Sequence, residues 1–186
     1  TVNGGATLGT ALTVNSSLVL TSGLFTLGTN HLTLSAGASV GGTPSVTAMV
    51  VADGTGEFRK TFTAAGPFTY PVGDNTGTAE YSPATLTFVG GTYSSAYAGV
   101  RVVDAVHPNM ANADYITRYW PISTSGIAGG ATYSFAGVYT DADITGTEAT
   151  MNGARYDAST VWIEGAAVNV GSNTATVSGQ TTFTVT

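Results

Sequence analysis

Residues 12 to 40, "LTVNSSLVLTSGLFTLGTNHLTLSAGASV", place apolar residues in pairs at Leu12/Val14, Leu18/Leu20, Phe25/Leu27 and Leu32/Leu34, recurring every six to seven positions. Alternation within each pair is the period of a strand, and Asn15-Ser16, Ser22-Gly23 and Gly28-Thr29-Asn30 supply turns between them. Strands this short and evenly spaced suit the coils of a β-solenoid, in which each strand stacks on the equivalent strand of the next coil. About two coils fit the stretch on this spacing. A meander of antiparallel hairpins is the alternative that the same pattern permits.

Outward from this stretch, "VGGTPS" (40 to 45) interrupts the repeat, and the segments beyond it are longer and richer in aromatics. The sequence therefore divides into a β-solenoid-like segment over 1–45 and a second domain over 46–186. In the latter, "VTAMVVADGTGEFRKTFT" reads as two strands joined in a hairpin at Asp53-Gly54-Thr55-Gly56. Further strands are expected at 68–72, 84–89, 98–103, 115–122, 131–139, 154–157, 161–165, 174–178 and 182–186, with turn residues between nearly all of them. Many short strands without a helical period indicate an antiparallel, Ig-like β-sandwich, so the fold class is all-β. Only "DAVHPNMANADY" (104 to 115) has room for a helical turn, and Pro108 limits its length. In "ITRYWPI" the period of two puts Ile116, Arg118 and Trp120 on one face, with Trp120 expected in the core and Pro121 ending the strand or marking an edge.

Composition narrows the function classes. Cysteine is absent, which removes disulfides, thiolate metal sites and a thiol nucleophile. Charged residues are 9% of the 186, against about 25% in ordinary domains, and the 25 glycines fit a secreted β-protein. The formal charge is −6, and Arg59-Lys60 is the only adjacent basic pair, so a nucleic-acid groove is not expected. No apolar run approaches the roughly 20 residues of a membrane-spanning helix. Thr1 does not open a signal peptide, and the chain reads as mature or as an excerpt of something longer.

Candidate chemistry is sparse. "GASVG" (37 to 41) satisfies G-x-S-x-G with Ser39 at the nucleophile position and His107 as a conceivable partner, but no helix follows, and the motif works on a strand-to-helix turn. His31 and His107 lie far apart and share no metal-ligand spacing. Lys60, the only lysine, raises the option of an isopeptide cross-link; it is expected on an exposed strand face beside Arg59. Asn15-Ser16-Ser17 meets the N-glycosylation pattern. Nine tyrosines and two tryptophans could furnish a sugar-stacking platform, although aromatics in a sandwich are more often core.

"YTDADITGTE" (139 to 148) concentrates Asp141, Asp143 and Glu148 in eight positions. With Asp157 after the return strand they form the candidate metal set, of the oxygen type that calcium requires. The competing reading is a corner between strands whose aspartates cap turn amides. No other cofactor is expected.

"VVADGTGEFRKTF", "FTYPVGD", "YSPATLTF" and "RYWPI", followed by "VYTDADITGTE", "ARYDASTVWIEG" and "NTATVSGQTTFTVT", resemble a module repeated in very large secreted surface proteins of Bacteroidota, of the adhesin and gliding-filament kind exported by type 9 secretion. The resemblance covers nearly the whole chain. Arg155, Tyr156, Asp157 and Trp162 match its closing "R-[WY]-D…W" unit. It implies a non-enzymatic structural repeat at the cell surface, with neighbouring modules of the same chain or further copies as partners. No type 9 C-terminal sorting domain is recognised, which places the export signal elsewhere on a longer chain. The alternative function is a glycan- or surface-polymer-binding module.

Overall fold

The structure is a computed structural model, and it describes residues 1–157 and 161–181. Nine short strands wind into three coils. The first holds β1 (Val2–Asn3), β2 (Ala6–Thr7) and β3 (Leu12–Val14); the second β4 (Ser17–Ser22), β5 (Phe25–Thr26) and β6 (Leu32–Leu34); the third β7 (Ser39–Gly42), β8 (Val50–Val51) and β9 (Phe58–Phe62). Every coil-to-coil pairing is parallel: β1-β4-β7, β2-β5-β8 and β3-β6-β9. The solenoid expected from residues 12 to 40 is therefore present, in three coils rather than two, and the antiparallel meander is not.

Like stacks on like. Leu12 pairs with Leu32 and Leu32 with Phe58, steps of 20 and then 26 residues, so the third coil is the longer one. Half of the extra length sits at the β7–β8 corner, around "VGGTPS", where the offset grows from 22 (Leu20 to Gly42) to 25 (Phe25 to Val50), and the parallel ladders run on beyond it to β9. Leu18, Leu20, Leu32 and Leu34 are buried in the second coil, each worth about 1.5–3 kcal/mol when fully withdrawn from water. In the first coil the equivalent positions stay partly open, and Leu12 is 41% exposed.

β8 and β9 do not form a hairpin. Gly54 and Gly56, expected to provide positive φ for a two-strand turn, lack it and serve close approach instead. A Cβ on Gly54 would strike the carbonyl oxygen of Gly28, and one on Gly56 that of Asn30. The "DGTG" corner of the third coil thus lies directly on the "GTN" corner of the second, with the Gly56 N–H donating to Gly28 O at 2.9 Å.

The remaining strands are β10 (Gly66–Tyr70), β11 (Val72–Asp74), β12 (Glu80–Tyr81), β13 (Ala84–Val89), β14 (Thr92–Val100), β15 (Tyr115–Ile116), β16 (Ile122–Ala128) and β17 (Thr132–Val138). After them come β18 (Ile144–Thr145), β19 (Asn152–Tyr156), β20 (Trp162–Ala167) and β21 (Thr174–Gln180). Antiparallel β14 and β16 extend the β3-β6-β9 ladder, β11 and β12 extend β2-β5-β8, and β10-β13-β17-β21 form a separate antiparallel sheet. Side chains bridge this sheet to the solenoid ladder: Phe62 meets Phe88 edge to face at 5.0 Å, and Tyr70 Oη donates to Ala98 O at 3.0 Å. One apolar cluster accordingly runs from Leu18 to Tyr133.

No α-helix occurs among the described residues, including 104–115, and none is long and apolar enough to cross a membrane. The single strand expected over 115–122 is broken into β15 and the start of β16. Between them Arg118 turns into the interior, and Pro121 has no N–H to offer a ladder. The strand expected at 182–186 lies outside the described residues.

Gly56→Ala forces a methyl group into the backbone of the coil below, and is expected to cost about 1–3 kcal/mol in denaturant unfolding. Gly37→Ala, at a corner with open space around its Cα and no positive φ, should cost far less.

Candidate functional site

Arg118 is fully buried, and its guanidinium collects carboxylates from distant parts of the chain. Nη1 donates to Asp74 on β11 and Nη2 to Glu80 on β12, both in short contacts; Nε donates to Asp143 Oδ2 at 2.8 Å. Asp104 Oδ1 stands 3.9 Å from Nη2. Burial by itself lowers the guanidinium's pKa, but its bonds to Asp143 and Asp74 outweigh that and raise it. The Asp104 carboxyl is pushed up, first by burial and then by Asp74 and Asp143, with Arg118 opposing. Among the described residues, Asp74, Glu80 and Asp104 form the only set of three carboxylate or imidazole groups whose ligand atoms all lie within 4.8 Å of one another, and Arg118 bonds two of the three directly.

The four candidate calcium ligands fall into separate contacts. Asp143 accepts from the Thr140 N–H at 2.8 Å and from Arg118, so it caps its own turn and binds the arginine. Asp141, exposed at the start of that turn's 3-10 segment, Asp141–Asp143, accepts from Asn173 Nδ2 at 2.6 Å. Glu148 accepts from Tyr139 Oη at 2.7 Å, and burial, reinforced by Glu148, raises the phenol's pKa. Asp157 pairs with Arg155 at 3.4 Å.

The remaining candidates are placed as follows. Ser39 opens β7 with its N–H donating to Ser16 O. His31 takes the Glu57 N–H on Nδ1 at 3.1 Å and lies 3.2 Å from Arg59 Nη2. Asn15 Oδ1 accepts from Ser35 Oγ at a solenoid corner. Lys60, expected to be exposed, is 7% exposed, and Nζ donates to the carbonyls of Ser35, Ala36 and Ala38 at 2.7 Å each. Burial lowers its pKa. Its position follows from register, since Phe58 and Phe62 two residues to either side are also buried.

A cavity of about 680 Å³ opens beyond β16. Its floor is the face of β17 and β21 carrying Tyr133, Phe135 and Val177; its walls are the 107–122 segment and the β19–β20 hairpin. At one end the His107 ring lies 4.9 Å from each of Tyr119, Tyr156 and Trp162, and Tyr156 and Trp162 are 5.0 Å apart. Trp162 Nε1 donates to Asn109 O at 3.1 Å, fixing the indole. Trp120, expected in the core, is only partly buried; it lines this cavity and donates to Ser82 O. Burial pushes the His107 imidazole down.

Fold and site together define an all-β protein built on a three-coil β-solenoid, with an aromatic cavity outside its coils. No protein-family model, curated protein or solved structure matches the chain.

Arg118→Met would strand buried carboxylates without a counter-charge, and a loss of about 3–5 kcal/mol is expected in urea unfolding. Arg59→Met, which breaks a partly exposed pair with Glu57, should cost about 0–1 kcal/mol. For His107 the depressed folded-state pKa means that the unfolded chain takes up a proton first. Stability present above about pH 6.5 is therefore lost as the pH falls toward the folded value. His107→Gln should lower the melting temperature near neutral pH yet show a smaller further drop between about pH 7.5 and about pH 5.5.

Proposed function

We propose that this chain is a non-enzymatic structural repeat domain of a large extracellular adhesin, filament or stalk protein, placed at the cell surface by type 9 secretion in a bacterium of the Bacteroidota. Its antiparallel part would be an Ig-like β-sandwich, and its partners neighbouring modules of the same chain or further copies. The observation that carries this reading is the open end of the solenoid. In a parallel ladder, alternate residues bond to opposite sides. Leu12 N–H donates to His31 O, and Val14 O accepts from the Ser35 N–H, which leaves the amide and carbonyl of Thr13 facing away from the second coil. The same alternation at Ala6 and Leu8 turns Thr7 outward. β1, β2 and β3 are all terminal in their sheets among the described residues, so three strand edges face one way. An uncapped solenoid end of this kind supports stacking by another module or copy. The reciprocal contact would come from "TTFTVT" (181 to 186), of which only Thr181 is among the described residues.

Sedimentation over a range of concentrations tests the contact. Self-association is expected for the native chain. It should be lost in Thr13→Pro, which blocks the outward edge while leaving the inward bonds of Leu12 and Val14 intact. A single monomeric species at every concentration would count against end-to-end stacking.

A further inference from the structure

The cavity has the chemistry of a ligand site, independently of what stacks on the solenoid. Its volume of about 680 Å³ lies inside the roughly 300–1,000 Å³ range of small-molecule pockets. The aromatic end is preorganised: Trp162 is tethered to Asn109 O, and its ring is held edge to face against His107. Tyr119, Tyr156 and Trp162 are each only partly buried, so ring surface remains open.

Three further lining residues, Asn112, Asn152 and Glu164, are exposed. Among the described residues their side chains make no hydrogen bond or ion pair. Two amides and a carboxylate together offer both donors and acceptors, beside a wall of rings. The cationic groups at the cavity are engaged elsewhere, Arg118 with Asp74, Glu80 and Asp143, and Arg155 with Asp157. With a chain charge of −6, this disfavours a phosphate or polyanionic ligand. A purely apolar ligand would cover the amides and the carboxylate without replacing their bonds to water. The ligand that answers both walls has flat C–H faces to lie on aromatic rings and a rim of hydroxyls that donate and accept.

We propose that the cavity binds a neutral mono- or disaccharide, stacked on Tyr156 and Trp162, with Asn112, Asn152 and Glu164 taking its hydroxyls. His107 supports the stack from behind. Its Nδ1 accepts the Asn109 N–H, so the neutral ring carries its proton on Nε2.

Titration of the whole chain with cellobiose, maltose, lactose and N-acetylglucosamine tests the proposal, followed by calorimetry and by tryptophan emission, since Trp120 and Trp162 both line the cavity. At least one of these sugars is expected to bind saturably and shift the emission, and Trp162→Ala should weaken it at least tenfold. Ala154→Phe places a ring in the cavity from an exposed strand position, where folding is least at risk, and should abolish binding while circular dichroism stays native. No saturable response to any sugar overturns the proposal, as does an affinity unchanged in both variants. A preference for glucuronate or inorganic phosphate over the neutral sugars overturns it, and so does a concentration-dependent dimer that shields Trp162.

Discussion

β9 belongs to two kinds of sheet at once, and the rest of the fold depends on that. On one side it stacks in parallel on β6, with Leu32 beside Phe58; on the other it pairs antiparallel with β14, with Phe58 opposite Val100. Register is set from both directions, and a slip of one residue would turn Phe58, Lys60 and Phe62 out and Arg59 and Thr61 in. The lysine is interior because its apolar neighbours require it. Three carbonyls of the preceding solenoid turn meet its ammonium, which is how a charge can sit in the Leu34 column without a carboxylate. Through β9 the solenoid core continues into the antiparallel sheets, and Phe62 against Phe88 carries it across.

Arg118 performs a comparable service for the irregular segments. The carboxylates around it come from β11, β12, the segment after β14 and the turn at 141–143, which no single sheet unites. A buried ion pair adds little net stability over an apolar replacement, but removal of one member is costly. Its effect here is positional, since Thr140 hydrogen-bonds both Asp143 and Glu80, and each of these also accepts from the arginine. "YTDADITGTE" is thus divided by function: Asp143 faces inward to the arginine, while Asp141 and Glu148 tie the turn to Asn173 and Tyr139.

What the sequence revealed follows from how local each signal is. The solenoid is legible over residues 12–34 because the first two coils are nearly equal in length and their apolar residues come in evenly spaced pairs. The third coil was not, because six extra residues shift its period and Lys60 stands where a leucine stood one coil before. Gly54 and Gly56 suggest a hairpin in the sequence because glycine serves positive φ and close approach equally well, and only the neighbouring coil distinguishes the two uses. The partners of Arg118 are spread from Asp74 to Asp143, and a period of two expected for one continuous strand does not describe a residue lying between β15 and β16. The cavity was equally hidden, since its aromatic wall draws on residues 107, 119, 156 and 162; the one local hint was the Arg-aromatic pairs in "TRYW" and "ARYD", with "VW" after the latter.

The open solenoid edge and the cavity occupy opposite borders of one sheet. In the order β16-β14-β9-β6-β3, the outward amide of Thr13 is at one extreme and Ile122, which lines the cavity, is at the other. A module stacked on the first coil extends the ladder away from the cavity and leaves its mouth uncovered. The two readings therefore do not compete for the same surface. In a tandem array joined at coil edges, each bead would retain its own aromatic site, and weak single-site affinities would combine through the fixed spacing of the beads.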